Sequence, residues 1–202
     1  MRTPLAKFAS NTARPPLPAP SVALTSTGAS FLIRAIDVDD AAREREFICS
    51  LSADSRYNRL MHAIREPSAE FVEQMVGVDY RHTMAFVAVV GKGDAERIIG
   101  VARYADTSDG SGCEFAIAIA DPWQSRGVGT AIAHRLFDYA RAQGVPELNA
   151  RILATNSHMV AFAHRLGFTT RIMAGEPDLI DAQLALTPAT ADEHLAARVA
   201  MP

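Results

Sequence analysis

Gln124-Ser125-Arg126-Gly127-Val128-Gly129, followed at once by Thr130-Ala131-Ile132-Ala133-His134-Arg135-Leu136-Phe137, decides how this chain is read. Val128, Ile132, Leu136 and Ala140 recur at helical spacing, with Arg135, Asp138 and Arg141 largely opposite them, so a glycine loop opens an amphipathic helix. A helix start carries backbone N–H groups without partners and the positive end of the macrodipole. It binds an anion wherever the chain lets a phosphate come close. Gly127 and Gly129 remove side chains that would block that approach, Arg126 adds a positive charge and Thr130 a hydroxyl donor. No Gly-Lys-Ser/Thr follows, so this is not a nucleotide P-loop, and the third glycine of the dinucleotide fingerprint is missing. Taken alone, Gly-x-Gly fits an ordinary strand-to-helix turn as well.

Upstream, Cys113-Glu114-Phe115-Ala116-Ile117-Ala118-Ile119 reads as a strand. Residues 84–90 and 98–104, joined by a turn at Gly91-Lys92-Gly93-Asp94, form a hairpin before it, and residues 106–112 make a second turn, so three antiparallel strands follow one another. Further upstream, residues 31–36 are extended, and Asp39 or Asp40 caps a helix that turns Ala42, Phe47, Ile48 and Leu51 inward. Residues 50–61 turn and start another helical piece. Pro67-Ser68 opens a short helix carrying Phe71, Val72, Met75 and Val76, which Gly77 stops. Downstream, Gly144 and Pro146 end the glycine-loop helix. A strand over 148–153, a helix over 156–166 stopped by Gly167, and strands over 168–173 and 179–186 complete the pattern. The expected class is α/β (α+β), one domain with a central mixed, mostly antiparallel twisted sheet flanked by helices.

The ends differ from this core. Pro4, Pro15, Pro16, Pro18 and Pro20 break any periodicity, and Arg2, Lys7 and Arg14 meet no acid, so residues 1–30 read as a flexible Pro-rich tail. Residues 31–186 form the domain and 187–202 a C-terminal tail.

With 202 residues, 49% hydrophobic and 21% charged, the chain is sized for one well-packed core. A formal net charge of -3 gives no basic field, so nucleic acid is not expected as a partner. No apolar run approaches the roughly 20 residues that span a bilayer, and the first residues lack the apolar run of a secretory signal. A cytoplasmic protein without membrane contact is expected. Cys49 and Cys113 are too few and too poorly spaced for a zinc site or disulfide framework, and Cys113 reads as a small buried strand residue rather than a nucleophile. The six histidines lack ligand spacing, His158 and His164 being six apart on one helix, so no metal is expected.

The residues from Gln124 to Gly129 match in full the Gln/Arg-x-x-Gly-x-Gly/Ala signature of the GNAT superfamily of acetyltransferases, which this chain resembles over roughly residues 31–186. A second resemblance is the helix opened by Asn156 and closed by Gly167-Phe168. Residues 50–59, 78–80 and 118–124 are similar to the acetyltransferase domain of bacterial Pat-type protein lysine acetyltransferases. Those enzymes often carry regulatory or acyl-CoA-synthetase-like domains, and a chain of this length is expected to carry neither.

The resemblance implies transfer of an acetyl group from acetyl-CoA to a primary amine. The acceptor is a protein lysine or, in the alternative reading, a small amine or amino acid; a catalytically weak CoA-binding sensor is the reading from another class, and a homodimer is left open. Gln124, Ser125, Arg126, Gly127, Val128, Gly129 and Thr130 would cradle the pyrophosphate. Ile117 and Ile119 would offer backbone groups to the pantetheine, and Asn156 would bond it, cap its own helix, or both.

Acetyl transfer needs a neutral amine, whereas a free lysine titrates near a pKa of about 10.4, so the site needs a base. Glu114 is the candidate: between Cys113 and Phe115 at the head of an apolar strand, its carboxylate is expected to lose solvation and rise in pKa. Strand alternation puts Glu114 on one face with Ala116, Ala118 and Ala120, and Phe115, Ile117 and Ile119 on the other; a bulge, usual in this strand of the family, would break that parity. Many family members protonate the departing thiolate with a tyrosine seven residues after the helix-opening asparagine. Here that position is Ala163. Tyr104 and Tyr139 read as packing residues, and Tyr80, Arg81 and His82 as surface residues near the acceptor entrance.

Overall fold

The computed structural model describes residues 16–62, 66–107, 112–173 and 175–186. Their eight strands form one sheet in the order β1-β2-β3-β4-β5-β6-β8-β7. These are β1 (Ser21–Leu24), β2 (Ser30–Ala35), β3 (Thr83–Val90), β4 (Arg97–Asp106), β5 (Cys113–Ile119), β6 (Glu147–Leu153), β7 (Thr169–Met173) and β8 (Glu176–Ala185). The helices are α1 (Ala41–Ser50), α2 (Ala53–Leu60), α3 (Ala69–Val76), α4 (Val128–Ala142) and α5 (Ser157–Arg165). Every neighbouring pair of strands is antiparallel except β5–β6. The mixed sheet flanked by helices is the architecture expected.

Helices cover both faces of the central strands, which is why β3 is an almost unbroken apolar run. Met84, Phe86 and Ala88 face one core with Ile132, Leu136 and Phe137 of α4; Ala85, Val87 and Val89 face the other with Phe47 and Ile48 of α1 and Val76 of α3. Full burial of each such aliphatic or aromatic side chain contributes about 1.5–3 kcal/mol.

Three local expectations are corrected. Ser21–Leu24, inside the stretch read as tail, forms edge strand β1 and pairs with β2, Ser21 opposite Ile33 and Leu24 opposite Ser30. Backbone pairing with β2 holds these four residues, and no local periodicity announces it. Asp40 occupies the N-cap position of α1, yet its carboxylate takes two bonds from Arg34, at 2.6 and 2.8 Å, rather than capping. Asp37 instead caps the 3-10 turn over Val38–Asp40. Ala42, expected inward, is exposed, while Glu44 on the same helix is buried. Residues 108–111 of the second turn, residues 187–202 and residues 1–15 of the expected tail lie outside the described residues.

Candidate active site

β5 and β6 run side by side only at Cys113 opposite Leu148 and Glu114 opposite Asn149; beyond that point they diverge. β6 continues against β8 while β5 continues against β4 in unbroken register, so the sheet splits into a V with Glu114 at its apex. A cleft of about 720 Å³ opens there, within the range of small-molecule and cofactor sites. The five steps from Glu114 to Ile119 advance roughly 17 Å at about 3.4 Å each. That length suits an extended pantetheine arm.

At the far end of β5, a 3-10 turn over Asp121–Trp123 leads into the glycine loop. Ser125 and Gly127 take positive φ, 56° and 87°, and α4 starts at Val128. Gly127 at its N-cap offers no capping side chain and the first turn contains no acid, so the N–H groups and the dipole face an anion uncontested. Gly129 keeps the wall close: a Cβ there would stand 3.2 Å from Phe162 Cζ and 3.5 Å from Ile119 Cγ1. Such a cradle fits the pyrophosphate of CoA. Across the gap, Asn156 Oδ1 accepts from Met159 N at 3.0 Å and caps α5.

Of the residues expected to hold the cofactor, Ile117, Ile119, Gln124, Ser125, Gly127, Gly129, Thr130 and Asn156 line the cleft. Arg126 and Val128 do not. The Arg126 guanidinium lies 5.9 Å from the Trp123 ring and its carbonyl accepts from Ser26 N at 2.9 Å, while the Val128 side chain is buried. Gln124 Nε2 donates to Ile119 O at 3.0 Å and to Ser55 Oγ at 3.2 Å, pinning the loop to β5 and α2.

Glu114 lines the cleft but is exposed, which corrects the desolvation expected of it. The expected parity holds without a bulge between β4 and β5: Phe115, Ile117 and Ile119 pack with the α4 core, Ala118 and Ala120 with the α1–α3 core. Ala163 is buried. Tyr104 and Tyr139 are packing residues, their hydroxyls donating to Arg81 O at 3.3 Å and Tyr80 O at 2.6 Å, and burial pushes both phenols up in pKa. Tyr80, expected at the surface, is buried and donates to Ile36 O at 2.7 Å, whereas Arg81 and His82 are exposed. Cys113 is buried, and burial first, then Asp106, pushes its thiol up to about 12, far from a nucleophile's range.

Several wall residues have no site role in the sequence reading, although residues 50–59 carry part of the Pat-type resemblance. Ser55, Asn58, Arg59 and Leu60 of α2, with Phe71 and Met75 of α3, close one side; Arg151, His158 and Arg165 stand on the β6–α5 side. Asp121 ties α2 to the loop: it accepts from Ser52 N at 3.0 Å, Ser52 Oγ at 2.8 Å and Ser55 Oγ at 2.8 Å. Burial raises the Asp121 pKa, but these three donors outweigh it and hold the carboxyl below its ordinary value. Among the described residues, no group of three or more His, Cys, Asp or Glu is placed to hold a metal ion, and no helix is long and apolar enough to cross a membrane.

The profile of the acetyltransferase (GNAT) domain matches residues 30–169. The chain belongs to the GNAT acetyltransferase family. This acetyltransferase is 36% identical over 141 residues to Acetyltransferase PA5475 of Pseudomonas aeruginosa, an alignment covering 70% of this chain and 76% of that protein. It is 30% identical over 142 residues to Acetyltransferase Pat of Mycolicibacterium smegmatis, covering 70% of this chain and 42% of that longer protein. In fold it is similar to the crystal structure of the GNAT domain of S. lividans PAT, with a TM-score of 0.75 and 24% identity, covering 83% of this chain and 97% of that one.

Proposed function

We propose that this acetyltransferase acts in the cytoplasm and moves an acetyl group from acetyl-CoA to a primary amine. The observation that carries the reading is the V-shaped split of β5 from β6, with the uncapped start of α4 at one end and Glu114 at the other. Acetyl-CoA would supply an activated thioester. The N–H groups around Gly127–Gly129 and the Thr130 hydroxyl would hold the pyrophosphate, and the β5 edge at Ile117 and Ile119 the pantetheine amides. Glu114 would take the proton that the ammonium must lose, through water because its carboxylate is exposed. With Ala163 where a tyrosine would donate a proton, the chain supplies no acid at that position. A thiolate of pKa near 8.5 can leave without one.

Incubation with acetyl-CoA and a panel of small amines, amino acids and lysine peptides, read by mass spectrometry, tests the proposal. Acetylated amine supports it. Binding of CoA with no acceptor acetylated would favour the sensor reading instead.

A further inference from the structure

The wall of the cleft built by α2 and α3 carries a charge cluster that the transfer chemistry does not use. Glu44 of α1, Arg103 of β4 and Arg59 of α2 surround a cavity of about 20 Å³ beneath the cleft. Arg103 donates from Nη2 to Glu44 Oε1 at 3.3 Å and from Nη1 to Met75 Sδ at 2.9 Å. Glu44 Oε2 and Arg103 Nε are buried without a hydrogen-bond partner among the described residues. Arg59 lines both this cavity and the main cleft. It is half-buried, and no hydrogen bond or ion pair to it is present among the described residues.

Two guanidinium groups therefore face one carboxylate. Loss of hydration first, then the like charge of Arg103, brings the Arg59 pKa down to about 10 against the pull of Glu44 and Glu114, so Arg59 keeps its charge at neutral pH. A partly dehydrated cation with no counter-ion among the described residues is costly unless one arrives. The single acid on the cleft wall among the described residues is Glu114, which senses Arg59 electrostatically but makes no ion pair with it. Arg151, His158 and Arg165 also reach the cleft but are exposed to solvent, Arg165 lying over the Phe162 ring at 5.6 Å.

We infer that Arg59 is a specificity residue whose guanidinium fork receives a carboxylate carried by the amine acceptor, placing the amine beside Glu114. The planar fork suits a carboxylate bidentately. The carboxylate comes either from the acceptor's own carboxyl group, as in an amino acid, or from an acidic side chain beside a target lysine. This inference rests on the acetyl transfer proposed above.

The test compares kcat/KM within matched pairs: amino acids against their carboxamides, and lysine peptides flanked by Asp or Glu against those flanked by Asn or Gln. Calorimetric titration of the N-acetylated forms of the same compounds into the protein with CoA gives the preference independently of turnover. Wild-type protein should favour the carboxylate member of one pair about tenfold or more, the scale of a hydrogen bond to a charged group. The pair that shows the preference identifies the source. R59Q should bring the ratio close to one, and R59K, which keeps the charge but loses the fork, should leave an intermediate ratio. Equal use and equal binding of both members by wild type overturns the inference while leaving acetyl transfer intact. So does a ratio that survives R59Q, including the case in which R59Q moves the pH–rate profile alone. Failure of acetyl transfer itself shows separately, as acetylation in no arm.

Discussion

The two glycines proposed to cradle the pyrophosphate should fail in different ways when each receives one methyl group. Gly127 has φ +87°, and a Cβ there would meet nothing nearer than Ser26 N at 4.0 Å, so Gly127→Ala adds no clash. Its penalty is conformational: the left-handed region costs a non-glycine residue roughly 1–2 kcal/mol. At roughly 2–4 °C per kcal/mol for a chain of this length, Tm should fall by about 2–8 °C. Gly129 is helical, and alanine there gains up to about 1 kcal/mol of helix propensity. Against that stands the approach of 3.2 Å to Phe162 Cζ, at the rim of a half-buried ring that can shift by a few tenths of an ångström. Gly129→Ala should therefore be near neutral in stability, yet its methyl group would project where the phosphates must approach, and the Kd for CoA should rise about tenfold or more. Thermal unfolding and calorimetric CoA titration on the same preparations separate the effects. A Gly129→Ala protein that binds CoA like wild type, or a Gly127→Ala protein with unchanged Tm, would refute the reasoning.

Three further outcomes follow from the geometry. Glu114→Gln should lower kcat about 10²- to 10³-fold, with the Kd for CoA, measured by calorimetry, little changed. Asp121→Asn should weaken the tie between α2 and the loop, raising the acceptor KM in steady-state kinetics. Because the Asp121 pKa is depressed in the folded state, its contribution to stability is present above about pH 4 and lost as pH falls through the folded value, so the wild-type advantage in denaturant melts should shrink only at acid pH. Asp40→Asn should leave Arg34 with Glu96 as its one remaining carboxylate partner and cost about 1.5–3 kcal/mol in a denaturant titration, the scale of a hydrogen bond to a charged group, since the Asp40 side chain is buried against that guanidinium.

The strands and helices that position the site were legible because their signals are local. The apolar runs of β3, β4 and β5 and the stripe of Val128, Ile132 and Leu136 on α4 each sit within one element, where period and turn residues speak directly. β1 was not legible, because its four residues are held by hydrogen bonds to β2 rather than by any pattern of their own. Asp40 was legible as an acid at a helix start, but its Arg34 partner, six positions earlier on β2, takes the carboxylate away from the cap. The same limit applies to Gln124, whose amide reaches Ser55, and to Asp121, whose carboxylate holds Ser52 and Ser55, contacts that span 69 and 66 positions.

From the sequence alone came the loop, its glycines and the helix behind it, because backbone conformation, small side chains and the helix start are properties of adjacent residues. Only the tertiary structure decided that Glu114 stands exposed at the apex of the split sheet, and that Arg126 and Val128 turn away from the cleft their neighbours line. Tertiary structure also brings Arg59 to the cleft, beside a buried Glu44–Arg103 pair. The reason is physical: hydration, pairing and the direction a side chain faces depend on what packs against it from remote parts of the chain, and no local pattern encodes those neighbours.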